Sequence, residues 1–298
     1  MSLLRTYSQR NPDGCLLING AGYCLGDVLT QGQDSRILSA TPMNGGGDPA
    51  AFVVKHYHLR PGEGERRERV YLEIRAGRSL RHSRGVVRLL GSRVIRAGGE
   101  EDVYLLMRRL PCCEDVPPAD PAEVMCLCLD MTYALEALAA RGWVHGDIKP
   151  SNLFRAPSDG WQLGDFGSLC RVGNAPVYGS EGYCAPEAWR GEPCDGRADQ
   201  YALGVTMYRL LSGGRLPFCA RPCAETEEAE VYAAIRRRLK GEPIPPLEGV
   251  LSQVAELVCK MTAFRPDDRF RTPQELRESV RLLNFLHYSH RNSDMGGV

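Results

Sequence analysis

The chain has 298 residues, with 37 basic and 37 acidic side chains and a formal charge of zero, so its charge favours neither nucleic acid nor an anionic lipid surface. That length can bury a substantial core as one enzyme-sized unit, with room for two lobes. No apolar run approaches the ~20 residues of a membrane span, and Met1-Ser2-Leu3-Leu4-Arg5-Thr6 lacks a signal-peptide core, so the expectation is a cytoplasmic protein with no membrane partner.

Residues 28–40 and 51–57 are rich in β-branched and apolar side chains and read as strands around a loose turn at Asn44-Gly45-Gly46-Gly47. Residues 63–81 read as a helix in which Val70, Glu73 and Ile74 share a face. A carboxylate on an apolar stripe is costly unless a cation meets it, and Lys55 is the expected partner. The arginines from Arg66 to Arg88 read as a solvated face with salt links to Glu65, Glu68 and Glu73. Residues 86–90 and 103–107 read as further strands, and Met107-Arg108-Arg109-Leu110-Pro111 as a link.

Residues 121–141 carry apolar side chains at 124, 127, 131, 135 and 138 and read as a long helix. Residues 199–212 are apolar nearly all round, as in a buried central helix, and Gly213-Gly214 stops it. A polar tail from about residue 286 reads as loose. The twelve cysteines include no pair of CxxC units and no histidine at ligand spacing, so they read as reduced, mostly buried thiols. Only four lysines occur, Lys55, Lys149, Lys240 and Lys260, against 33 arginines. A compact ammonium suits a phosphate oxygen in a narrow site where a planar guanidinium does not.

The chemistry concentrates in His145-Gly146-Asp147-Ile148-Lys149-Pro150-Ser151-Asn152, with Asp165-Phe166-Gly167 starting thirteen residues after Asn152. An acid, a lysine, an amide and a second acid beyond a hairpin can steer a hydroxyl onto a nucleotide γ-phosphate. That reaction asks mainly for positioning and charge neutralisation. Around this core stand Phe52-Val53-Val54-Lys55, Glu73, the His82–Leu90 segment, Ala185-Pro186-Glu187, Asp199 and Arg269. In this order and spacing the set resembles the protein kinase signature, over roughly residues 23–285.

The resemblance implies an α+β, bilobal protein-kinase-like fold with a small, mainly β N-lobe carrying one helix and a larger, mainly α C-lobe. The implied N-lobe is about 23–107, the hinge about 108–111 and the C-lobe about 112–285, after an extension at 1–22 and before a tail at 286–298. It implies ATP and Mg²⁺ as cofactors and a protein substrate with a serine or threonine acceptor, since Pro150 after Lys149 and Gly179-Ser180-Glu181-Gly182-Tyr183 resemble the serine/threonine-kinase pattern. By the same resemblance, Asp147 orients the hydroxyl, Lys149 neutralises the moving phosphoryl group, and Asn152 and Asp165 hold the metal. Lys55, held by Glu73, meets the phosphates. Thr30, Gly32, Ile37, Val53, Met107, Leu110 and Phe154 line the nucleotide. Ser180 contacts Asp147 and Lys149 through its hydroxyl, and Glu187 pairs with Arg269 as architecture.

Several positions depart from the pattern. The phosphate-covering loop carries Thr30, Gly32 and Ser35 at its three glycine positions, so weaker ATP binding is expected. The earlier Gly20-Ala21-Gly22-Tyr23-Cys24-Leu25-Gly26 spells a longer glycine pattern but lies too far ahead of Lys55. Gly146 replaces an arginine that reads an activation-segment phosphate, which implies activity independent of such phosphorylation. Val53 and Phe154 are bulky for an adenine pocket, and Gly77 stands where a large apolar residue is usual. Two alternatives stay open: a pseudokinase scaffold, and a small-molecule kinase of the aminoglycoside or choline type. The substrate, activating signal and oligomeric state are not encoded in any motif.

Overall fold

A computed structural model of the protein describes residues 15–44, 51–176 and 179–294, from residue 285 on by backbone alone. The chain divides into two compact units, Met1–His82 with Val87–Leu110, and Ser83–Val86 with Pro111–Val298.

The first unit is an antiparallel sheet of six strands with one helix among the described residues. In chain order these are β1 (Cys15–Ile18), β2 (Ala21–Gln31), β3 (Arg36–Pro42), β4 (Phe52–Leu59), α1 (Gly64–Leu80), β5 (Gly91–Ala97) and β6 (Glu100–Arg108). The strand order is β1-β2-β3-β4-β6-β5. Two hairpins close on residue pairs with positive φ, Asn19-Gly20 and Gly98-Gly99, whose backbone twist matches that of the flanking strands. Alternation along β4 feeds two cores. Tyr57 and Leu59 join Val70 and Ile74 of α1 with Leu89, Val103 and Leu105. Val54, on the other face, joins Leu16, Ile18, Ala40, Tyr104 and Leu106. The β1 hairpin comes back against β5, with Asn19 Nδ2 donating to Leu90 O at 2.9 Å.

Two strand expectations are corrected here. Residues 28–40 are not one strand: β2 ends at Gln31, and Gly32 N–H donates to Ser35 O at 2.9 Å to close a turn before β3. The run Gln31-Gly32-Gln33-Asp34-Ser35 is a turn sequence inside an otherwise strand-like stretch. Residues 86–90 are also not a strand. Val86 makes one isolated bridge, to Leu163, and Val86, Val87 and Leu89 are apolar because they are buried rather than paired. Besides β4, the strand that pairs with β6 is β5, masked in the sequence by Gly91, Arg93 and Arg96. Asn44 is described, but the rest of the expected turn at Gly45-Gly46-Gly47 lies outside the described residues.

The second unit is mainly helical: α2 (Pro121–Ala139), α3 (Pro186–Trp189), α4 (Gly196–Leu211), α5 (Glu228–Leu239), α6 (Ser252–Met261) and α7 (Pro273–Asp294). Short antiparallel pairs complete it, β7 (Trp143–Val144) with β10 (Cys170–Arg171), and β8 (Leu153–Ala156) with β9 (Gly160–Leu163). Asp120 caps α2 by accepting from Glu123 N at 2.8 Å. All five apolar positions expected on that helix are buried. Helix α4 is buried from Ala198 to Tyr208 and ends at Leu211, just before Gly213-Gly214, with Gly214 N–H donating to Arg209 O at 2.8 Å. Of the tail expected to be loose from about residue 286, the backbone to Asp294 continues helix α7, and the rest lies outside the described residues. Among the described residues no helix is long and apolar enough to cross a membrane.

Candidate active site

In the first unit, β4 carries Lys55 on the face that meets α1, and α1 turns Glu73 towards it. Lys55 Nζ and Glu73 Oε1 lie 2.9 Å apart, both side chains almost fully buried. A buried pair survives only with good geometry and further partners. Glu73 has one in the Tyr57 hydroxyl, which donates to Oε2, and the Lys55 ammonium stands 5.1 Å from the centre of the Tyr57 ring. Tyr57 was missed in the sequence, although its i+2 spacing from Lys55 puts it on the same strand face.

Register puts other expected residues on that face. Ile37 pairs with Lys55 across β3–β4, Thr30 with Ile37, and Val53 with Met107 across β4–β6. Leu110 follows β6 and is half-buried. The covering turn departs from a phosphate loop. Gly32 N–H is spent on Ser35 O, and the turn is tied to α1 by Arg66. Arg66 Nη2 donates to Asp34 O at 2.7 Å, and its Nε lies 3.3 Å from Asp34 Oδ1. The earlier glycine pattern falls instead in the β1–β2 hairpin and along β2. The arginine-rich face uses partners other than those expected: Arg66 meets Glu63 and Asp34, Arg67 meets Glu101, and Arg84 meets Asp130.

Gly77 is buried, and its space is filled. A Cβ added there would lie 2.8 Å from Leu89 Cδ2 and 3.0 Å from Leu89 Cβ. The absent side chain is therefore replaced by a leucine arriving from another segment of the same unit.

The second unit builds the His145–Asn152 loop outward from a side chain of α4, Asp199. Buried Asp199 accepts from His145 N at 2.7 Å and Gly146 N at 2.9 Å. Burial pushes its carboxyl above the usual range, opposed by the neighbouring His145 and those two bonds. Asp147 N–H donates to His145 Nδ1 at 3.3 Å, which leaves the imidazole proton on Nε2, facing Gly164 O at 3.0 Å. Phe166 packs edge-on against that ring. Gly146 sits at φ +79°, a region that a side chain enters only at a cost.

Asp147 is then held by three donors. Ser180 N–H reaches Oδ1 at 2.9 Å, while Asn152 Nδ2 at 3.0 Å and Lys149 Nζ at 2.9 Å reach Oδ2. Lys149 also donates to Ser180 Oγ at 2.6 Å. The expected hydroxyl contact of Ser180 is thus to Lys149 alone, and its main-chain N–H serves Asp147. Asn152 also donates from Nδ2 to Asp147 O at 2.8 Å, which leaves its Oδ1 without a protein donor among the described residues. Asn152 O accepts from Gly164 N at 2.9 Å, fixing the end of β9, where Asp165 follows at φ +57°. Phe154, on β8, bridges to Cys112.

Below this loop Glu187 and Arg269 form a bidentate pair at 2.5 and 2.9 Å. The remaining Arg269 donors reach Ala263 O, Arg197 O and Phe264 O. The buried thiols of Cys113, Cys128, Cys170 and Cys194 are each pushed up to about 12, in every case chiefly by burial, which makes them poor nucleophiles.

Comparison with known proteins agrees with this arrangement. The family model described as the protein kinase domain matches residues 25–280. The chain is 26% identical over 283 residues to a probable serine/threonine-protein kinase of Corynebacterium efficiens, covering 88% of this chain and 41% of that one. It is 31% identical over 174 residues to the serine/threonine-protein kinase PknB of Mycolicibacterium smegmatis, covering 55% of this chain and 26% of the relative. A probable PknB of Corynebacterium glutamicum is 26% identical over 90% of this chain and 43% of its own length. The chain thus spans less than half the length of these relatives.

Proposed function

Since the chain belongs to the protein kinase domain family, we propose that it transfers the γ-phosphoryl group of ATP to a serine or threonine hydroxyl of a protein substrate. The choice of acceptor is supported by relatives named as serine/threonine-protein kinases or probable ones. The reading is carried by the state of Asp147. A carboxylate offers about four acceptor positions, and Ser180, Asn152 and Lys149 take three. The remaining position can receive the proton of an incoming hydroxyl.

In this reading Asp147 orients the acceptor hydroxyl and takes its proton as the oxygen bonds to phosphorus and the bond to the leaving oxygen breaks. Lys149 offsets negative charge on the transferred group. Lys55, held by Glu73, offsets charge on the phosphates, and Ile37, Val53, Met107 and Leu110 offer an apolar surface to the base. Asn152 Oδ1 and the Asp165 carboxylate are hard oxygen donors of the kind Mg²⁺ prefers, so these two residues would hold it. Such an ion, when bound, neutralises charge on the phosphates.

The test is incubation with γ-labelled ATP and Mg²⁺, with a generic protein substrate and, separately, with amino-sugar and choline acceptors. Label on serine or threonine is the expected result. Label on small molecules alone, or none above an Asp147→Asn control, would overturn it.

A further inference from the structure

All twelve cysteines are thiols. Burial raises ten of them, Cys113, Cys128, Cys170 and Cys194 the furthest, which slows their attack on other sulfurs. The other two, Cys15 and Cys24, are set apart by their place in the first unit's sheet. They are direct Cα partners across β1–β2. No other two cysteines face each other across a strand pair among the described residues.

Residues directly opposite in an antiparallel pair share a face and stand about 4.5 or 5.5 Å apart at Cα, according to their place in the hydrogen-bond pattern. A disulfide spans about 4.4–6.8 Å at Cα, so either place accommodates one. The Cβ atoms of such a pair lie about 4.5–5.5 Å apart, and must close to about 3.5–4.5 Å for the bond. A disulfide made under that strain is readily reduced again.

The face that carries the pair is open. Leu16 and Ile18 point to the core from the other side of β1, whereas Leu17 is 58% exposed, Cys24 is exposed and Cys15 is half-buried. The Cys15 thiol donates to Met43 Sδ at 2.9 Å and rests over Gly22, where an added Cβ would lie 3.5 Å from it. With no side chain at 22 to crowd it, a change of χ1 rotamer turns the thiol towards Cys24.

We propose that Cys15 and Cys24 are a modification site, forming a reversible cross-strand disulfide with a small disulfide such as oxidised glutathione as the oxidant. The thiolate of Cys24, the more exposed of the two, attacks one sulfur of the oxidant. One glutathione leaves as thiolate and takes up the proton that Cys24 lost. The Cys15 thiolate then attacks Cys24 Sγ, the new S–S bond forms, and the second glutathione leaves and is protonated in turn. Two protein thiols are oxidised, and one small disulfide is reduced to two thiols. The bond staples the hairpin from which β2 runs on to the Gly32–Ser35 turn. The site does not depend on the phosphotransfer reading.

The test treats the full chain with excess oxidised glutathione, blocks the remaining thiols with iodoacetamide, and maps chymotryptic peptides without reductant. Cleavage after Leu17 and Tyr23 separates the two cysteines, so the bond is read as a linked pair of peptides. That pair, the loss of two hydrogens from the intact chain, and the return of both thiols in excess reduced glutathione are the expected results. Cys15→Ser should lose the linked pair and leave glutathione on Cys24. The proposal fails if wild-type Cys24 keeps glutathione without joining Cys15, or if it joins another cysteine or a second chain. It fails equally if neither thiol reacts, or if reduced glutathione leaves the bond intact. Should the variant not fold, the wild-type peptide map decides alone.

Discussion

At Gly77 the helix has given up a side chain so that Leu89 can pack against its backbone, with contacts too close for a Cβ. Gly77→Leu should therefore overpack the first unit and cost ~1–3 kcal/mol. Adding Leu89→Ala to that variant should recover much of the loss, since the two positions compete for one volume. Urea denaturation of the two single variants and the double variant measures this, and additive losses would contradict it. A second residue-scale effect concerns His56. It is buried, receives Arg36 Nη2 on Nδ1 at 3.0 Å, and faces Asp102 Oδ1 at 2.9 Å, as does His58. Burial holds its imidazole below the usual 6.5, although Asp102 pulls the other way. Below pH 6.5 the unfolded chain therefore binds a proton that the native chain resists, so stability rises with pH in that window and is lost as pH falls through it. Denaturation midpoints should drop between about pH 7 and pH 5, and His56→Gln should flatten that slope.

The β2–β3 turn shows how an element compensates for weak local sequence. Without glycines at 30 and 35, it is held by Arg66 reaching from α1 to Asp34. Removing a charge-assisted bond of this kind costs ~1.5–3 kcal/mol. Arg66→Ala should speed hydrogen exchange at the Gly32 amide by at least about tenfold, and unchanged protection would exclude the tether. The stretch at Gly179-Ser180 is a second such element. Gly146 offers no arginine for a phosphate, and a Cβ on Gly179 would come within 3.0 Å of Gly146 O, so the two main chains lie close. With Ser180 N–H already bonded to Asp147, phosphatase-treated protein should keep its activity; its abolition would show that a phosphate is needed.

Legibility in the sequence followed the range of the interactions. Helix α2 and helix α4 were readable because apolar spacing is local, and the Asp147–Asn152 loop because its parts lie within a few residues. Strand β5 was not readable, since it is defined by pairing with β6 rather than by its own alternation. Nor was the Leu89 that fills the space beside Gly77, because that contact joins separate segments; Tyr57 shares the Lys55 face, but spacing alone does not say that its hydroxyl reaches Glu73.

For the whole molecule, the family assignment and the separate geometries of Lys55–Glu73 and of the Asp147 loop lead to one chemical claim, that Asp147 serves the transfer step itself rather than the binding of nucleotide. Asp147→Asn keeps the volume but removes the charge and the proton-accepting site, and a positioned acid–base group contributes about 10²–10⁴ in rate. The most direct measurement is the turnover number of Asp147→Asn beside its affinity for Mg²⁺-ATP. Turnover should fall at least about a hundredfold with affinity changed by less than about threefold. Turnover near the wild-type value, or a loss confined to nucleotide affinity, would contradict the account.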